Sequence, residues 1–172
     1  MAIDTAGDAA YRARMLQKNP YAEDLGSLDP FKALAITPGK IQAVVAGWPA
    51  KRWERSYAPG KWSARRILVH LAQTELALTT RVRFGASQDG YIAQSFDQDQ
   101  WLPLDDPADG PTALGAYVAL RKLNVLMFRG MTAKQRQREF THPEFGALNA
   151  GWVAAQLAGH DIHHLTQLRQ IK

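Results

Sequence analysis

Cysteine is absent from this 172-residue chain. Its absence excludes disulfides, thiolate zinc sites and an internal thiol nucleophile, while leaving the redox compartment open. Also missing is any run of about 18 apolar residues, the length a membrane-crossing helix needs. The amino terminus has no basic-then-apolar signal layout either. A cytoplasmic protein with no membrane partner is the expectation. Positive charge is missing from one stretch in particular: residues 89–109 hold six aspartates and neither lysine nor arginine.

The basic side chains gather elsewhere, at Lys51, Arg52, Arg55, Lys61, Arg65 and Arg66 and again at Arg121, Lys122, Arg129, Lys134, Arg136 and Arg138. A formal charge of +5 could suit a polyanionic partner. No helix-turn-helix, zinc-finger or aromatic RNA-binding signature accompanies these clusters. Solvated helix faces are therefore the plainer reading, and nucleic acid is not an expected partner.

What the chain does have is helical periodicity, over a length sufficient to bury one core. Thr5 to Lys18 carries a moderate pattern through Ala9, Ala10, Ala13 and Leu16, ended by Asn19-Pro20. Asp29-Pro30 reads as an N-cap followed by the first helical residue, and Thr37-Pro38 repeats that signal. Ile41, Val44, Val45 and Trp48 supply the stripe of a helix begun at one of these two starts, and Pro49 stops it. Ser63 caps a long helix whose apolar positions Ile67, Leu71, Thr74, Leu78 and Val82 keep the 3.6-residue period.

The connection from Gly85 to Pro111 is unusually long for a compact domain, and Tyr91, Ile92, Phe96, Trp101 and Leu102 argue that it packs on the body. Thr112 is expected to cap the next helix, with Leu114, Tyr117, Val118, Leu120, Leu123, Val125, Leu126 and Phe128 on its apolar side and Gly130 at its end. A short basic turn at Thr132 to Arg138 and a loop over Thr141 to Gly146 lead to a final helix from about Asn149. No convincing period-2 alternation is visible. The pattern predicts an all-α fold, an up-down four-helix bundle with a long crossover between helices 2 and 3. Residues 1–28 form a partly helical arm in this scheme, and residues 29–172 the bundle domain.

The final helix carries the unusual chemistry. Val153, Leu157, His160, Leu168 and Ile171 recur at helical spacing, and His164 and Gln167 fall on the same stripe. Residues four apart on a helix have Cβ atoms roughly 5–6 Å apart, so His160 and His164 reach a common point while His163 points elsewhere. The spacing by itself is equally that of core histidines bonded to carbonyls or of a solvated face. Unpartnered buried imidazoles are costly, and a divalent metal satisfies two of them if a third ligand arrives from another helix. His70, beside the buried stripe of the Ser63 helix, is that candidate.

Three blocks now add up to a resemblance: Gly60-Lys61-Trp62-Ser63 through His70-Leu71 to Glu75, the crossover segment Phe96 to Trp101, and Gly159-His160-Asp161-Ile162-His163-His164 through Leu168. Together they resemble the DinB-like superfamily of damage-inducible bundle proteins, over roughly Asp29 to Lys172. The resemblance implies a homodimeric four-helix bundle with zinc or nickel held by three histidines, which map to His70, His160 and His164. It further implies an enzyme acting on a small molecule. Relatives include S-transferases and a maleylpyruvate isomerase that use low-molecular-weight thiols such as bacillithiol or mycothiol, and metal-dependent hydrolysis has been assigned to others. With no cysteine here, thiol chemistry requires an outside thiol as cofactor. The rival reading is a non-catalytic metal-binding protein in which the ion stabilises the fold.

Other polar residues are read more plainly. Gln167, one turn beyond His164, suits either a hydrogen bond behind the metal ligand or an amide pair across the bundle. Gln73 stands where similar proteins often carry an acid, which argues against acid/base chemistry at that position. Asp161 points off the ligand face, toward solvent or an ion pair. Glu75 is poorly placed as a base. Asp97 and Asp99 suit a structural role on the crossover, and His142, before a proline, is expected at the surface.

Overall fold

In the computed structural model, Ala13 and residues 16–172 are described. The helix expected over Thr5 to Lys18 falls mostly outside them, as does the first half of the arm. The described elements are α1 (Ala22–Leu25), α2 (Pro30–Val45), α3 (Ala50–Trp53), α4 (Ala64–Ser87), α5 (Gln98–Trp101) running into a 3-10 turn (Leu102–Asp105), α6 (Gly110–Gly130), α7 (Ala133–Gln137), a hairpin of β1 (Phe140–His142) and β2 (Gly146–Leu148), and α8 (Ala150–Gln170). No helix among the described residues is long and apolar enough to cross a membrane.

The helix starts follow from side-chain oxygens that accept the first orphan N–H groups. Asp29 accepts from the Lys32 amide at 2.7 Å, Ser63 from Arg66 at 3.4 Å and Asn149 from Trp152 at 3.0 Å. Asp109, rather than the expected Thr112, caps α6, accepting the Thr112 N–H at 2.8 Å. Pro111 then sits in the first turn, where its missing N–H costs nothing. Pro38 does not start a helix but lies inside α2. Its missing N–H deprives the Leu34 carbonyl of its helical donor, and the Arg121 Nη1–H reaches that carbonyl from α6 at 3.4 Å.

The four long helices form a ring in the order α2, α8, α4, α6. Consecutive helices α2 and α4 therefore face each other across a diagonal, as do α6 and α8. An ordinary up-down order would set them side by side. The connections that contain α3, and α7 with the hairpin, are long enough to cross the bundle end. The segment expected to be a loop, Thr141 to Gly146, contributes to that antiparallel hairpin. Its strands have three residues each, too few to display alternation in sequence.

Two apolar clusters fill the bundle. One includes Leu34, Leu78, Phe128, Trp152 and Leu157; the other includes Ile41, Ile67, Leu71, Tyr117, Leu168 and Ile171. On every long helix the residues between the clusters are polar and buried: Thr37 on α2, His70, Gln73, Thr74 and Glu75 on α4, Arg121 and Asn124 on α6, and His160, Asp161 and His164 on α8. A polar layer thus divides the core.

Half of that layer is an ion-pair network. Arg121 pairs with Glu75 and with Asp161, Asn124 Nδ2–H donates to Glu75 at 2.7 Å, and Tyr117 O–H donates to Asp161 at 2.9 Å. Arg121 is therefore no solvated basic residue, and Asp161 and Glu75 are its buried counter-ions. The apolar stripe of α6 is also narrower than its sequence suggests, because Leu123 and Leu126 are 57% and 58% exposed.

Candidate metal centre

The other half of the polar layer brings three imidazoles together. His70 comes from the middle of α4, and His160 and His164 come from one face of α8. His70 Nε2 lies 2.8 Å from His160 Nε2, and His164 Nε2 lies 2.9 Å from the same atom. One nitrogen from each ring falls within 4.8 Å of the others. The residues are only 3%, 3% and 5% exposed.

Burial dominates the electrostatics here. It pushes the pKa of His70 down to about 3, with the neighbouring His164 adding to the effect, and that of His164 down to about 4, against a supporting hydrogen bond to Gln167. His160 is driven well below the usual histidine range by burial and then by His164 and His70. At neutral pH all three rings are neutral, each with one lone pair and one N–H.

The tautomer of His164 follows from Gln167. Gln167 Oε1 lies 2.8 Å from His164 Nδ1, so the proton is on Nδ1 and the Nε2 lone pair faces the other two rings. Gln167 Nε2–H in turn donates to His163 Nε2 at 2.9 Å, and His163 Nδ1 lies 3.5 Å from Asp24 Oδ1. His163 therefore points away from the triad, and Gln167 stands behind the ligand face. With the His164 lone pair directed inward, hydrogen bonding cannot satisfy both Nε2 contacts at once. If His160 donates to His164, it has no Nε2 lone pair for His70; if it accepts from His70, it faces His164 lone pair to lone pair. A cation accommodates all three lone pairs, so the donor set fits a divalent metal. Among the described residues His70 Nδ1 and His160 Nδ1 are buried without a hydrogen-bond partner, and of the three rings only His164 is held from behind.

Aromatic walls surround the triad. The Trp62 ring lies 5.0 Å from His70, Phe96 stacks on His70 at 6.3 Å, and Tyr21 meets His160 edge-on at 4.9 Å. Tyr21 belongs to the arm, whose described part packs against α8: the Trp152 indole N–H donates to the Gln17 carbonyl at 2.9 Å. Gly159 permits this, because a Cβ there would fall inside contact distance of the Tyr21 carbonyl oxygen and Cβ. Gln73 ties down the crossover, donating to the Trp101 carbonyl at 2.8 Å and to Asp105 at 2.7 Å. Asp97 caps α5, accepting from Asp99 and Gln100 amides.

Two cavities border the triad and share Tyr21, His70 and Gln98 in their walls. One, of about 200 Å³, has His70 and His160 in its wall together with Arg81, His142, Glu144 and Gln156. The other, of about 350 Å³, has His70 and His164 in its wall together with Tyr57, Lys61, Trp62 and Gln167. His142 is thus not at the surface as its sequence context suggests; the hairpin turns it inward to 3% exposure. Tyr21, Arg81 and Gln156 carry no motif that points to this site. Gly159, next to His160, is compatible with a close approach by another segment, but only the fold identifies that segment as Tyr21.

The family model for the DinB superfamily matches residues 33–168 of the chain. A candidate metal-dependent hydrolase of Oceanobacillus iheyensis is 26% identical over 137 residues, 78% of each chain. A protein of the same description from Halalkalibacterium halodurans is 21% identical over 145 residues, 81% of this chain and 82% of the relative. YfiT of Bacillus subtilis, also named a candidate metal-dependent hydrolase, is 24% identical over 80% of each chain. The solved structure of YfiT, described as having an unusual four-helix bundle topology, superposes with a TM-score of 0.75 at 21% identity, covering 83% of both chains. That likeness shows the fold.

Proposed function

This chain belongs to the DinB superfamily, and on that footing we propose that it is a divalent-metal-dependent hydrolase with His70, His160 and His164 as the protein ligands. The observation that carries this reading is the set of three buried Nε2 atoms whose two close contacts hydrogen bonding cannot satisfy together. Among the described residues no fourth histidine or carboxylate joins the cluster, an arrangement of open catalytic sites rather than closed structural ones. The names of the relatives support it as well. When bound, zinc or nickel at such a site supplies a Lewis acid with at least one position for water or substrate. The chain's own part is to hold three neutral imidazoles in register, to lock His164 through Gln167, and to shed water with Trp62 and Phe96.

A second reading is favoured by one feature, the presence of two cavities that meet at the histidines. Two entrances suit a two-substrate reaction, with an exogenous low-molecular-weight thiol on one side and its electrophile on the other. The chain would then be a thiol S-transferase, and Lys61 and Trp62 would face the thiol.

Elemental analysis of protein purified without a histidine tag, beside His160→Ala, tests the metal. About one ion per wild-type chain and little in the variant is the expected result; no metal in wild type after reconstitution overturns the proposal. Cobalt substitution separates the two readings. A thiolate charge-transfer band on adding a thiol supports the transferase, and its absence leaves the hydrolase.

A further inference from the structure

We propose that the smaller cavity is an anion subsite, in which the Arg81 guanidinium and the His142 Nε2–H bind the carboxylate of a small organic acid. The inference rests on the metal-dependent reading in one respect: it gives the substrate of that site a carboxylate directed away from the histidines.

Arg81 continues the α4 stripe of His70, Thr74 and Leu78, all of which line this cavity. Eleven residues of helix separate Arg81 from His70 by roughly 16 Å, and helical side chains lean toward the N-terminus, so the guanidinium leans back toward the triad. Two arginines are buried among the described residues, Arg81 at 8% and Arg121 at 2% exposure. Arg121 meets two carboxylates. Arg81 donates from Nη2 to the Gln94 carbonyl at 2.7 Å, and among the described residues no carboxylate reaches ion-pair distance. A guanidinium has five N–H donors, and one carbonyl does not balance a buried positive charge. Its cost is visible in its pKa, which burial lowers although Tyr91 and the Glu144 carboxylate act in the opposite direction.

His142 is oriented by its neighbour. The Glu144 amide donates to His142 Nδ1 at 3.2 Å, which leaves the proton on Nε2 as a donor. Burial, and next the charge of Arg81, lower the pKa of His142, so it donates as a neutral ring. Across the cavity on α8, Gln156 Oε1 is buried with no partner among the described residues, an acceptor suited to a hydroxyl or amide on the same ligand. Glu144 also lines the cavity, and its charge offsets part of that of Arg81 without pairing with it, which disfavours a multiply charged ligand there. A carboxylate monoanion fits this balance better than a phosphate dianion. It also matches a planar guanidinium in a bidentate way. A cavity of about 200 Å³ restricts the ligand to a small acid.

Calorimetric titration with propionate tests the subsite, on metal-loaded protein and on protein stripped with a chelator, where a carboxylate has no metal to bind. Wild type should bind propionate in both forms. Arg81→Gln should bind it about tenfold or more weakly, with wild-type metal content, and Arg81→Lys should recover part of the loss. Unsubstituted protein gives a second readout: propionate should shift the imidazole resonances of His142. Equal affinity of wild type and Arg81→Gln, or unshifted His142 resonances, overturns the subsite. Inorganic phosphate binding as tightly as propionate through Arg81 overturns the assignment to carboxylates. The stripped protein and His70→Ala read propionate binding without the metal, so failure of the metal reading and failure of the subsite remain distinct.

Discussion

Gln167 Oε1 accepts the Nδ1–H of His164 at 2.8 Å, and by doing so it turns the other nitrogen of that ring toward His160. Outer partners of ligating histidines set tautomer and basicity, and their loss typically weakens metal binding roughly 10–100-fold. Gln167→Leu should weaken zinc binding to that extent, measured by competition with a chelating dye, while leaving the helical circular dichroism spectrum intact. Unchanged affinity would show that the triad positions His164 without it.

Arg121 holds the opposite half of the polar layer together. Replacing it with leucine leaves Glu75 and Asp161 as buried carboxylates without their cation, and removing one partner of a buried pair costs about 3–5 kcal/mol. Urea denaturation of Arg121→Leu should show a loss of that order. A loss below about 1 kcal/mol would mean that water reaches the layer.

Gly159 is the point where the arm meets α8. Gly159→Ala places a methyl group against the Tyr21 backbone, which is not a flexible end that swings aside. Overpacking of this kind costs about 1–3 kcal/mol. The expected outcome is a lower melting temperature and faster proteolysis within residues 16–25, with α8 still helical. A variant as stable as wild type would show that the arm yields freely.

Stability of the metal-free protein should depend on acid in a definite direction. The folded state holds His70 at about 3 and His164 at about 4, both below the ordinary value of about 6.5. Between those limits the unfolded chain binds more protons than the folded one, so stability increases with pH. The contribution is complete above about 6.5 and is lost as pH falls toward 4 and then 3. Chemical denaturation of stripped protein at a series of pH values should show this decline, and His70→Ala with His164→Ala should flatten it. An equal slope in the double variant would assign the acid sensitivity to other groups.

Much of this molecule is legible in short stretches of sequence. Asp29, Ser63 and Asn149 start their helices because one side-chain oxygen satisfies an N–H three residues on, a relation that involves only neighbours in the chain. The spacing of His160 and His164 is local in the same sense. Their convergence with His70 was available only as a hypothesis, from the buried stripe of α4 and the family resemblance.

Other features depend on which helix faces which. Pro38 looks like a helix start until Arg121 is seen to supply the donor that Leu34 lacks. Leu123 and Leu126 share the apolar character of α6 and still face outward, since periodicity reports a stripe without its width. His142 looks exposed because a proline follows it, yet a hairpin of two short strands turns it into the core. Arg81 has no motif at all; its significance is that the fold buries it in the wall of a cavity that reaches the histidines, with no carboxylate among the described residues at ion-pair distance.

Local hydrogen bonding and amphipathic period determined the helices, the long connection between α4 and α6 and the placing of His160 and His164 on one face, because these are settled within short stretches of chain. The diagonal pairing of α2 with α4, the polar layer and the two cavities were decided by tertiary structure, because each depends on groups far apart in sequence that share a buried space and must satisfy one another's charge and hydrogen bonds.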